Sequence, residues 1–157
     1  MWTSAPLRTH WSIDANCYRE GNPVPHFSLA YWCVLAAALL PIVCTGIAKG
    51  GRFVPLSEGG YDNRNPRDWL AQQTQWRGRA NAAQANSFEA LPFFIGAVVI
   101  AHQLAADQNW LDLLAALFIT LRVVYVGLYV GGLANARSLV WSGAFATNIA
   151  ILFIGYR

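Results

Sequence analysis

SLAYWCVLAAALLPIVCTGIA, residues 28–48, carries no formal charge, and the first charged side chain after it is Lys49. A run of about 21 apolar residues makes roughly 30 Å of helix at ~1.5 Å per residue, the thickness of a bilayer's hydrocarbon core. Pro41 falls inside the run, where its missing N–H is expected to kink the helix or free a carbonyl for a neighbour. The rest of the chain resembles this stretch more than it resembles a soluble domain. Of 157 residues, 55% are hydrophobic and 12% are charged, against roughly 25% charged in soluble domains. The length fits one domain. The reading is an all-α membrane protein.

Working outward, residues 1–26 hold Arg8, Asp14, Arg19, Glu20 and several prolines but no apolar core of a signal peptide. They are expected to be a disordered tail ahead of a transmembrane domain over 27–157. After Lys49 the composition changes abruptly, with Gly50-Gly51, Gly59-Gly60, Pro55, Pro66 and six charges between Arg52 and Asp68. This is the one large extramembrane loop. Asn65-Pro66-Arg67-Asp68 reads as a helix start, with Asn65 as N-cap and Asp68 near the positive end of the dipole. That helix is expected to run on through Trp76, Arg77 and Arg79 into a span ending near Ala105. A third span is expected over 109–133, after a link at 106–108, and a fourth from the link at 135–138 to Tyr156. Links this short force antiparallel neighbours, so the architecture is an up-down-up-down four-transmembrane-helix bundle.

Charge sets the orientation. Lys49, Arg52, Arg64, Arg67, Arg77, Arg79 and Arg137 flank the first and third loops, and the second loop has no Lys or Arg. The first and third loops should face the cytoplasm and both termini the other side. Basic residues gathered this way speak to topology and not to nucleic acid. Cys17, Cys33 and Cys44 show no metal-ligand spacing, no metal is expected, and the two in the first span read as small buried hydrophobes.

Ionisable groups inside a bilayer cost several kcal/mol unless paired. Asn86 and Glu89 lie three residues apart on one helical face, and Arg79 lies seven before Asn86 on the same stripe. On the third span Arg122, Tyr125 and Tyr129 share a face. Glu89 is the acid at comparable depth, so an Arg122–Glu89 contact is expected, within one subunit or across two. Two readings stand side by side: interhelical glue, or a site in which Arg122 hydrogen-bonds a ligand thiolate or carboxylate with Tyr125 or Tyr129 assisting. Arg137 sets topology or joins the site, and Ser138 reads as an N-cap. Asp112 is placed as a first-turn dipole partner, His102 at the interface, and Trp32, Trp69, Trp76, Trp110, Trp141 and Tyr156 in an aromatic belt. Ala80, Ala82, Ala83, Ala85 and Ala90, with Gly127, Gly131 and Gly132, offer small faces for helix pairing.

The stretch RANAAQANSFEALPF, residues 79–93, resembles the signature of the MAPEG superfamily, membrane-associated proteins in eicosanoid and glutathione metabolism. Arg122-Val-Val-Tyr125-Val-Gly-Leu-Tyr129 and Arg137-Ser138 also resemble the family's corresponding segments, so that the likeness covers about 27–156. It implies a homotrimer that binds glutathione between neighbours near the cytoplasmic side, with the thiolate held by an Arg. Arg79, Asn86, Glu89 and Tyr129 would then bind glutathione, and Arg122, Arg137, Ser138 and Tyr125 would be catalytic. The chain departs from glutathione-using members at Ala82 and Ala85, where they carry basic residues, and looks most like the bacterial branch, which places it in an inner membrane. Two functions follow as expectations. One is a glutathione transferase or peroxidase acting on lipophilic small molecules; the other is a non-enzymatic trimer that binds lipid or a partner.

Overall fold

The computed structural model describes residues 27–52 and 54–156, so the expected tail over 1–26 lies outside the described residues. Among the described residues five α-helices follow in order: α1 (Leu29–Lys49), a short α2 (Pro66–Ala71), α3 (Gln75–Gln103), α4 (Gln108–Gly131) and α5 (Ala134–Phe153), with one 3-10 turn at Leu56–Glu58 in the loop. α1, α3, α4 and α5 are each long and apolar enough to cross a membrane, and no strand occurs among the described residues. The protein is an integral, multi-pass, all-helical membrane protein.

α1 runs unbroken through the buried Pro41. Its first turn is held from another helix: the Asp112 carboxylate of α4 accepts the Ala30 N–H at 2.8 Å. Asp112 therefore caps α1 and not its own helix. The cap of α4 is Asp107, which accepts the N–H groups of Asn109 (3.0 Å) and Trp110 (3.1 Å). His102 closes the same end of the bundle, stacked on Tyr31 at 4.6 Å between centroids.

The loop helix does not continue into the second span. α2 ends at Ala71, and α3 begins at Gln75, whose φ of 53° turns the chain. Asn65 stands at the N-cap of α2 without a side-chain capping bond, although Pro66 opens the helix as expected.

The links 104–107 and 132–133 make two tight antiparallel hairpins. Gly132 ends α4 at φ 80°, a left-handed conformation in which a Cβ would also meet the Arg79 guanidinium carbon at 3.4 Å. α5 consequently starts at Ala134, and Ser138 lies one turn inside it, donating to the Ala134 carbonyl at 3.1 Å instead of capping. α1 and α5 flank opposite sides of the α3–α4 pair.

The interior is built from small residues, among them Ala30, Ala37, Ala80, Ala83, Ala97, Ala101, Ala115 and Ala144, interleaved with Phe94, Phe118, Leu111 and Ile151. Leu35, Leu39, Ile42, Leu113, Leu117 and Val124 point outward. Lipid removes the hydrophobic gain from burying Leu, so helices associate where small side chains let backbones approach. Of the expected small faces, Ala80 and Ala83 are buried, whereas Ala85 is exposed and a Cβ at Gly127 or Gly131 would meet open space.

Candidate functional site

Arg122, at the middle of α4, is 2% exposed. Its Nη1 donates to Asn86 Oδ1 at 2.9 Å and its Nη2 to Ser87 Oγ at 3.2 Å. Ser87 passes the chain on, donating to the Ala83 carbonyl at 2.8 Å. The Asn86 amide in turn donates to Glu89 Oε2 at 3.2 Å. Within the chain the expected Arg122–Glu89 contact is thus a relay, with Asn86 standing between the cation and the acid. The spacing explains it: Asn86 and Ser87 are adjacent on α3, and together they present two acceptors to one planar guanidinium.

Arg122 also rests on the Tyr125 ring, its Cζ 4.5 Å from the centroid. Tyr125 meets Tyr129 edge to face at 5.5 Å and 84°, and Arg137, from α5, lies over Tyr129 at 4.1 Å. The result is a ladder of Arg122, Tyr125, Tyr129 and Arg137, each rung contacting the next.

Asn86, Tyr125, Tyr129, Arg137 and Ser138 line one open cleft of about 420 Å³, with Trp141 and Ser142. Asn86, Glu89 and Arg122 line a second, of about 140 Å³, whose other walls include Phe93, Phe118, Trp141 and Phe145. Asn86 and Trp141 belong to both. Arg79 adjoins the same region through a pocket shared with Tyr129 and Arg137, and its Nε donates to the Val130 carbonyl at 2.9 Å, tying α3 to the end of α4. All eight candidate residues therefore gather along one face. Ala82 and Ala85 do not: they line a separate cleft with Arg67 from α2.

Glu89 is exposed on this chain although it lies within the membrane-crossing helix. Arg137 is half-buried, and its side chain makes no hydrogen bond among the described residues.

Sequence reading overlooked Ser87, Asn148 and the place of Trp141. Ser87 and Asn148 are uncharged, yet each is a buried polar residue in an apolar span, and that is a signal in its own right. Trp141 was expected in the interfacial belt, and it forms the wall between the two clefts.

Four membrane-crossing helices enclosing an Arg–Asn–Ser network, open to a polar cleft on one side and an aromatic one on the other, define a polytopic membrane protein with an intramembrane polar centre. The chain belongs to the MAPEG family, whose profile matches residues 29–156, and members of this family generally use glutathione. Searches among curated proteins and among solved structures gave no match.

Proposed function

We propose that the protein is a homotrimeric, membrane-bound glutathione S-transferase or peroxidase-like enzyme that acts on lipophilic electrophiles. The observation that supports this most is the Arg122–Tyr125–Tyr129–Arg137 ladder running beside Asn86 and Glu89. Along one face it offers a carboxylate for an ammonium, an amide and cations for anions, next to an aromatic cleft for an apolar co-substrate.

The chemistry of glutathione fits most of these groups. Glu89 suits its ammonium, Asn86 its peptide groups, and Arg79 an anionic end. Arg122 spends one N–H of each terminal nitrogen on Asn86 and Ser87, which fixes Asn86 and sets a positive field, while the Arg137 side chain makes no hydrogen bond among the described residues and has all its donors to offer a thiolate. Tyr125 and Tyr129 hold the two guanidiniums in place, and Ser138 lines the cleft beside Arg137. Ala82 and Ala85 bring no charge, and Arg67 is the cation beside them. Bound glutathione supplies a thiolate that forms a C–S bond at an electrophilic carbon as the leaving group departs with the bonding pair.

Glu89 supports the trimer. An outward carboxylate at this depth costs several kcal/mol in lipid, and a neighbouring subunit that covers it removes that cost. The Lys and Arg bias favours first and third loops that face the cytoplasm, and the likeness to the bacterial branch favours an inner membrane.

The test is a thermal titration of the detergent-solubilised protein with glutathione, alongside conjugation of an aryl halide. Saturation at ~100 Kd adds about 2.7 kcal/mol, a rise of roughly 5–10 °C for a chain of this size. Arg137→Ala should abolish turnover. The absence of both stabilisation and turnover in the unmodified protein would end the proposal. One observation favours the other reading, a non-enzymatic trimer that binds lipid or a partner: the Arg122–Asn86–Ser87 network satisfies itself. On that reading Glu89→Gln dissociates the trimer and there is no activity to lose.

A further inference from the structure

The cavity between α3, α4 and α5, offered above to an apolar co-substrate, carries a polar group that the thiol reading does not use. Its aromatic walls are organised: the Trp141 and Phe145 rings lie parallel to within 3° at 5.5 Å, and Phe93 sits 5.8 Å from Phe145. Its volume of about 140 Å³ is close to the ~150 Å³ of an apolar cavity that takes one benzene ring. Four polar side chains reach its lining. Arg122, Asn86 and Glu89 are bonded to one another in the relay described above. The fourth, Asn148, is 2% exposed, and its Oδ1 is buried with no hydrogen-bond partner among the described residues. The hydroxyl next to it, on Thr147, is already turned to the Gly143 carbonyl at 2.9 Å.

A buried amide oxygen without a donor is a standing cost that native structures rarely retain without a use. We propose that this cavity binds a small aromatic hydroxyl compound, a phenol, with its ring between Phe93, Phe118, Trp141 and Phe145 and its hydroxyl on Asn148. A hydroxyl is the fitting group because it donates and accepts, and so serves either end of the amide. A ring of the same size without it leaves Asn148 as unpaired as before. Asn86, Glu89 and Arg122 line the same cavity and serve the glutathione reading, but the four residues around the ring and Asn148 are given no part in holding the thiol, so the phenol site is testable without glutathione.

The experiment compares 4-fluorophenol with its isostere 4-fluorotoluene on the full chain in detergent without glutathione, read by ¹⁹F chemical shift and line width. The phenol should bind about tenfold more tightly, the scale of one buried hydrogen bond. Asn148→Leu should erase that preference and leave the melting temperature unchanged or higher, because it removes the orphaned amide. A purely structural Asn148 would instead lower it. Ala90→Leu, which narrows the cavity from its α3 wall, should weaken both probes and gives a second reading if Asn148→Leu does not fold. Equal affinities, no binding of either probe, or a preference that survives Asn148→Leu would overturn the site. A null glutathione titration would leave this result untouched.

Discussion

Breaking the relay at either end should show which partner Arg122 depends on. The perturbation is a double-mutant cycle of Arg122→Met with Asn86→Leu, run beside a second cycle of Arg122→Met with Glu89→Gln. Interhelical hydrogen bonds in membranes couple by about 0.6 kcal/mol on average and up to about 1.7. A bond from a guanidinium is roughly twice a neutral one. At 2.9 Å and 2% exposure, the Arg122–Asn86 bond belongs at the top of that range, about 1.5 kcal/mol, or roughly tenfold in the unfolding constant. Glu89 meets Arg122 through the Asn86 amide, so its coupling should stay under about 0.5 kcal/mol. The assay is SDS-driven unfolding in mixed micelles followed by Trp fluorescence, with the four proteins of each cycle tested for coincident two-state transitions. A larger coupling to Glu89 than to Asn86 would mean a direct ion pair and would refute the relay.

Three further outcomes follow from the fold. Asp112→Ala removes the acceptor for the Ala30 N–H and should cost about 1–2 kcal/mol, a fall of roughly 2–8 °C in melting temperature, while Asp112→Asn keeps an acceptor and should lose less than half of that. Gly132→Ala forces a Cβ into φ 80° and against Arg79, so it should destabilise by about 1–2 kcal/mol or more in the same melt, with Gly131→Ala as the near-neutral control. In the loop, the Arg64 N–H at 2.8 Å holds the Asp62 carboxyl below its ordinary range. The turn should therefore be tightest above the usual carboxylate pKa of about 4 and loosen as the pH falls through the lowered value. Amide exchange at Arg64 should report this, and Asp62→Asn should flatten the dependence.

The spans and their order are legible because lipid imposes one rule, length and apolarity, on every crossing segment. Asn86, Glu89, Arg122, Tyr125 and Tyr129 are legible because helical spacing alone puts them on shared faces. What escaped depends on contacts far apart in sequence. Asp112 reads as local to α4 until Ala30, 82 residues earlier, is seen beside it. Ser138 looks like a cap only if α5 begins there, and the left-handed turn at Gly132 starts that helix four residues sooner. The break at Gln75 has no Gly or Pro to announce it. Asn148 passes unremarked because charge, not polarity, draws the eye inside a membrane.

The alanine seams have a consequence for how this sequence tolerates change. In a water-soluble domain the interior resists loss of volume, and large-to-small replacement is the damaging direction. Here small residues set the distance between helices, so Ala83→Val or Ala97→Leu should be worse than trimming Leu35 or Leu117, which point outward. A saturation scan of α1, α3, α4 and α5 would then show sensitivity to added bulk along the inner stripe and indifference to hydrophobic exchange outside it. Variation in this chain is free to accumulate among its largest apolar residues while its smallest hold still.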